Sequence, residues 1–196
     1  MKIKNLASLI NKSKTPVLYS PDEEHPAPQW AGDGSALYSL AGLPKMTTAH
    51  ILRTMDIPDN KAADIDAQAK PLPATFLPYL RELNDTTGMR EIIPGGETFT
   101  YKGYELCPFT TRDNSSYLIQ TKYIKPLDNI DKLSFWLAAT GAARFIVAYD
   151  GLFPVAILLP MHDAQGNIAS FLSALATRLK YTTAWDNEVL GEKQNG

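Results

Sequence analysis

The sequence predicts an α+β fold built from units of one helix and an antiparallel sheet, and three stretches carry that prediction. Within residues 117–161, β-rich apolar runs at 133–137, 144–149 and 153–159 are joined where Thr140-Gly141 and Asp150-Gly151 supply the positive φ of tight hairpins. Residues 2–40 show the same order of a helix followed by short strands, which fits a duplicated unit or the repetition of helix and meander common in unrelated α+β domains. Residues 168–180 place Phe171, Leu172, Leu175 and Leu179 on one helical face, with Arg178 and Lys180 near the C-terminal end, and predict an extra C-terminal helix.

Each element has a local reason. Ile3, Leu6, Leu9 and Ile10 recur at helical spacing, so residues 2–13 read as an amphipathic helix with lysines on its polar side, ended by Thr15-Pro16. Residues 17–20, 29–32 and 35–40 read as short strands, separated by the acidic, Pro-rich loop 21–28 and the Gly32-Asp33-Gly34 turn. Thr47 or Thr48 caps a helix through His50, Ile51, Leu52 and Met55, which Pro58 stops. Prolines 58, 71, 73, 78 and 94 frame an irregular linker or arm with a weak helix near 76–83. Residues 97–111 resume strand character around a Tyr101-Lys102-Gly103-Tyr104 turn, and Tyr117-Leu118-Ile119 is expected to open a C-terminal unit as a short helical turn before the basic, Pro-broken stretch 121–127. The expected organisation is an N-terminal unit (1–57), the linker or arm (58–96), a C-terminal unit plus helix (97–182) and a polar tail (183–196).

The order of elements from Tyr117 to Met161, closing on Leu159-Pro160-Met161, resembles the last half-domain of the bacterial DNA polymerase sliding clamp (β subunit), over about a quarter of the chain. Asn114 to Leu118 and Lys122-Tyr123-Ile124 echo the way that family enters its helix. The resemblance implies clamp-like, duplicated helix-and-sheet units, inner helices that face DNA, and an apolar pocket for short partner peptides beside Leu159, Pro160 and Met161; the plainer alternative for these three is an edge or core strand. Two departures stand against it: a clamp ends at its Met-Pro-Met-Arg sequence, whereas His162 follows here, and a full clamp subunit needs more domains than this chain can hold.

The 196 residues carry a formal charge of -2, so no global basicity demands nucleic acid, although a local basic face is compatible with it. One cysteine, Cys107, excludes an intramolecular disulfide and a zinc site of several thiolates. The N-terminal stretch lacks the apolar core of a signal peptide and no apolar run approaches a membrane span, so the expected location is cytoplasmic, with no membrane partner.

His25, His50 and His162 lack metal-site spacing, and His162-Asp163 suits a turn better than a catalytic base with its orienting carboxylate. Gly32-Asp33-Gly34-Ser35 lacks the lysine and the strand-to-helix context of a phosphate loop, and Cys107 precedes Pro108 with no histidine nearby. Asp22-Glu23-Glu24 and Asp64-x-Asp66 read as solvated acidic surface. No catalytic residue, metal or cofactor is therefore assigned. What remains is charge: Lys45 and Arg53 flank the 47–55 helix, and Arg112, Lys122, Lys125 and Lys132 surround the first helix of the C-terminal unit with Tyr117 and Tyr123 interleaved. Lys45, Arg53, Arg112, Lys122 and Lys125 are the candidate DNA contacts, against the alternative of a solvated helix face. The expected function is a non-enzymatic, clamp-like accessory protein of DNA replication or recombination, suited by its size to a phage or mobile element. Its expected partners are double-stranded DNA, polymerase or other replication proteins, and further copies of itself through edge strands. Two alternatives stay open: a protein–protein adaptor whose exposed Trp30, Tyr38 and Trp185 mark a partner site, and an enzyme whose site converges only in three dimensions.

Overall fold

The computed structural model describes residues 1–20, 28–45, 47–67, 72–73, 76–80, 88–113, 115–141 and 143–161. In chain order these form α1 (Ile3–Lys12), β1 (Val17–Tyr19), β2 (Trp30–Gly32), β3 (Ala36–Ser39), α2 (Thr48–Thr54), α3 (Asp59–Ala67), β4 (Met89–Pro94), β5 (Phe99–Tyr101), β6 (Tyr104–Thr111), β7 (Ser116–Gln120), β8 (Leu133–Thr140), β9 (Ala143–Asp150) and β10 (Phe153–Leu158). Short 3-10 turns at Leu77–Tyr79, Thr121–Tyr123 and Lys125–Leu127 complete the set. The fold is α+β, mostly β: a few helices on one curled antiparallel sheet.

Two three-strand meanders meet edge to edge. The sheet runs β1-β2-β3-β10-β9-β8, with β3 antiparallel to β10, and then continues through β4 to β6. β4 changes partner midway, pairing β8 through Met89–Glu91 and β6 through Ile92–Pro94, which turns the sheet. β6 is then flanked on its two sides, since Phe109 faces Pro94 of β4 and Tyr117 of β7. The curl brings β7 round to the chain that leaves β10, where the Met161 N–H donates to the Leu118 carbonyl at 2.8 Å.

The hairpins form where the sequence places them. β8 and β9 pair across eight residues and close through a two-residue turn whose first residue, Gly141, has φ +57°. β9 and β10 close in the same way through Gly151 at φ +58°, and Lys102 and Gly103, both at positive φ, join β5 to β6. At the β2–β3 turn a Cβ on Gly32 would sit 1.9 Å from the Ala36 carbonyl oxygen, so no side chain fits there. The Gly32-Asp33-Gly34 segment is therefore a hairpin turn.

The β3-β10-β9-β8 strands are buried on both faces. Along β9, Phe145, Val147 and Tyr149 face one cluster with Val17, Trp30, Leu37 and Ile157, while Ile146 and Ala148 face the larger core that α1 and α2 cover. Phe76, Tyr79 and Leu80 close the first cluster, with both Phe76 and Tyr79 edge-on to Phe145. Leu6, Leu9 and Ile10 of α1, and Leu52 and Met55 of α2, seal the second.

Several expectations change. The stretch 58–96 is not irregular throughout: Pro58 precedes α3, whose Asp59 lies in the first turn where an acid suits the helix dipole, and β4 is an internal strand with partners on both sides. Tyr117-Leu118-Ile119 is not a helical turn but most of β7; the helical turns follow it, kept short and 3-10 by Pro126. Trp30 and Tyr38, expected to be exposed, are 1% and 0% exposed. Residues 1–161 form one unit. The 168–180 helix, the 183–196 tail, His25, His162-Asp163, Trp185 and Asp22-Glu23-Glu24 lie outside the described residues.

Candidate nucleic-acid interface

Along α1, Asn5, Ser8, Leu9 and Lys12 fall at i, i+3, i+4 and i+7, and therefore share one helical face. This face lies against the turns after β7. The Lys2 N–H donates to the Pro126 carbonyl at 2.7 Å, and Asn5 Nδ2 donates to the Lys125 carbonyl at 2.9 Å. Because a 3-10 conformation nearly eclipses side chains three residues apart, the turns send Lys122 and Lys125 to the same side. The result is a cleft of about 250 Å³ lined by Asn5, Ser8, Lys12, Ser13, Lys122 and Lys125, with Leu9 and Asp33 in its wall.

The wall is held by a buried polar network. Tyr123 is 4% exposed; its hydroxyl donates to Asp33 Oδ2 at 3.1 Å, and its carbonyl accepts the Tyr38 hydroxyl at 2.6 Å. Asp33 Oδ1 accepts the N–H groups of Ser35 and Ala36 at 2.8 and 3.0 Å. Asp33 is thus committed to the β2–β3 turn and to Tyr123. Burial first, and then the neighbouring Asp33 and Tyr123, push the Tyr38 hydroxyl far above the usual phenol range, so it stays a neutral donor.

The lysines are only loosely engaged. Lys125 Nζ stands 3.9 Å from Glu105 Oε2, an oxygen that accepts the closer Thr121 hydroxyl at 2.5 Å. Lys122 lies over the Tyr123 ring, 4.6 Å from its centroid, a contact that leaves the remaining ammonium protons free to donate. Lys12 sits in the last turn of α1, where a cation suits the helix dipole.

Of the five predicted DNA contacts, the fold brings Lys122 and Lys125 together and adds Lys12. Lys45, ahead of α2, and Arg53, in its last turn, are exposed and line neither this cleft nor the pocket at β4. Arg112 belongs to that second pocket, of about 360 Å³, lined by Arg90, Glu91, Thr111, Arg112, Asp113 and Trp136. Leu159-Pro160-Met161 continues β10 as a tie across the curl, with the Leu159 N–H donating to Ser35 O at 2.8 Å. Leu159 is 37% exposed. Self-association is expected through edge strands; the path of the sheet ends at β1 and β5, three residues each, while β7 pairs only β6 and its Leu118 carbonyl already accepts the Met161 N–H.

Among the described residues that line the cleft, the hydroxyls are those of Ser8 and Ser13. Cys107 is buried, and burial raises its thiol pKa, partly offset by a hydrogen bond from the Gly95 backbone. His50 is exposed on α2, and among the described residues no three His, Cys, Asp or Glu side chains are placed to hold a metal ion. Sequence reasoning missed Lys12 and Ser8 as site residues, although the lysines on the polar side of the first helix were the available signal. Comparisons with protein-family models, with curated proteins and with solved structures give no match.

Proposed function

We propose that this protein is a non-catalytic binding module that engages the phosphodiester backbone of DNA along α1 and the Thr121–Leu127 turns, as an accessory factor in the manner of a sliding clamp. The observation that carries the proposal is the convergence of Lys12, Lys122 and Lys125 with the Ser8 and Ser13 hydroxyls and the Asn5 amide in one cleft. Ammonium groups supply the charge that displaces counterions, and hydroxyls and amides add phosphate hydrogen bonds without reading sequence. One helix and two short 3-10 turns lie side by side with lysines outward, a reduced counterpart of the paired helices that the clamp resemblance implies.

A salt titration tests it. Duplex DNA binding by the intact chain should weaken linearly on a log–log plot as salt rises. Each of Lys12→Ala, Lys122→Ala and Lys125→Ala should reduce the slope by about 0.9. No binding at low salt, or slopes that ignore all three substitutions, would sink the proposal.

A second reading, a protein–protein adaptor, is favoured by one feature: Leu152 and Phe153 at the β9–β10 turn are 53% and 60% exposed. Under that reading Leu152→Ser with Phe153→Ser abolishes partner capture and leaves DNA binding unchanged.

A further inference from the structure

The pocket at the bend of β4 is built differently from the lysine cleft. Where β4 leaves β8 for β6, the register sets Trp136 opposite Glu91. Beyond the last β4–β6 pair, Ile92 with Thr111, the next residues of the two chains meet through side chains. Arg112 donates to Glu91 at 2.9 Å, and Arg90 to Asp113 at 2.7 Å. Trp136 is partly buried, and its indole N–H is directed to the Ser134 hydroxyl at 3.4 Å, so what it offers the pocket is ring surface.

The two arginines are not equally available. Asp113 also accepts the Thr111 hydroxyl and the Ser115 N–H, and these bonds, with Arg90 beside it, hold its carboxyl down at about 2. Asp113 is therefore a fixed anion that orients Arg90. Arg112, with 87% of its side chain exposed, is tied to Glu91 by a single exposed contact of the kind that contributes little. A ligand phosphate can replace Glu91 on Arg112 at small cost. An indole face, a planar guanidinium and a volume of about 360 Å³ suit a flat ring that carries a nearby anion.

From this geometry we infer that the β4 pocket stacks an unpaired base of a nucleic-acid strand on Trp136 and holds the adjacent phosphate with Arg112, giving the protein a single-strand contact distinct from the lysine cleft. The inference rests on the nucleic-acid reading above. It extends it, because a base face is recognised through aromatic stacking, which a duplex does not offer.

The test compares a labelled oligothymidylate with an abasic oligomer of the same length, each titrated into the full chain by fluorescence anisotropy. Thymidylate should bind about tenfold more tightly than the abasic oligomer. Trp136→Ala should erase that difference, while Trp136→Phe and Lys12→Ala should retain it. Equal binding of the two oligomers by the wild type overturns the stacking site and leaves the lysine cleft standing. A thymidylate preference that survives in Trp136→Ala also overturns it. If the triple Lys12, Lys122 and Lys125 to Ala variant still prefers thymidylate to the same degree and with unchanged affinity, the stacking site stands and the cleft falls. Binding of neither oligomer overturns both, and would leave a protein partner as the occupant of the pocket.

Discussion

β9 and β4 each sit between two strands of the sheet, β9 paired on both sides at once and β4 with one partner after the other, and they meet opposite surroundings. Five consecutive residues of β9, Phe145 to Tyr149, are buried, whereas of the six residues in β4 only Ile92 is. The difference follows from what lies above and below each strand. β9 has α1 and α2 beyond one face and the Phe76–Leu80 segment over the other, while β4 twists from one partner to another and leaves Ile93 60% exposed. The fold thus separates stability from available chemistry: the doubly covered strands hold the molecule together, and the strand at the bend presents arginines, carboxylates and an indole to solvent.

The largest expected effect lies in β9. Phe145 is 1% exposed and meets Phe76 and Tyr79 edge-on at 5.1 and 5.3 Å between ring centroids. Phe145→Ala should lower stability by about 3–5 kcal/mol, from lost transfer energy and the cavity left behind. Urea unfolding measures this, and a loss below about 1 kcal/mol would mean that the Phe76–Leu80 segment does not cover the strand in solution, erasing the contrast with β4.

A smaller effect is expected at the other end of the same strand. The Tyr149 hydroxyl donates to the Tyr79 carbonyl at 2.6 Å, so Tyr149→Phe should cost about 1–2 kcal/mol. This residue also predicts a pH dependence. Burial raises the Tyr149 hydroxyl to about 12, above the usual phenol value of 10.0, and Tyr38 is raised for the same first reason. Below pH 10 both are neutral in folded and unfolded chains alike. Above it only the unfolded chain ionises, so stability should fall as pH rises from about 10 toward 12. Tyr149→Phe should make that alkaline loss shallower. An unchanged alkaline limb would assign it to other groups.

Legibility followed the same division. β8, β9 and β10 could be read in the sequence because apolar runs of strand-forming residues end at Gly141 and Gly151, where only a turn accommodates the backbone. β4 could not, since Met89-Arg90-Glu91-Ile92-Ile93-Pro94 neither alternates cleanly nor runs apolar, and its pairing depends on strands 15 to 49 residues further on. Tyr117 to Ile119 has the aromatic and β-branched character of a strand, but its place ahead of three strands reads as the helical turn that opens a helix-then-strands unit. For the cleft, Lys122 and Lys125 were legible as a local pair, while Lys12 joins them only because α1 lies against Pro126 and Lys125. Of the Trp136 pocket only Arg112 had a local signal, its charge: the lining comes from β4, β8 and the end of β6 with the turn after it, and Glu91, Arg112 and Trp136 share a site only through the register at the bend.

The smallest expected effect is the sharpest on the comparison. If β4 carries chemistry rather than stability, the exposed Arg112–Glu91 pair should couple weakly, by under about 1 kcal/mol in a double-mutant cycle of Arg112→Ala and Glu91→Ala. That coupling should fade further in high salt, as it does between solvent-exposed charges. A coupling of about 3 kcal/mol, insensitive to salt, would instead make the pair a clasp that holds β4 to β6 through the turn of the sheet. Arg112 would then be committed to Glu91 as Asp33 is to Tyr123, and unable to exchange its partner for a phosphate.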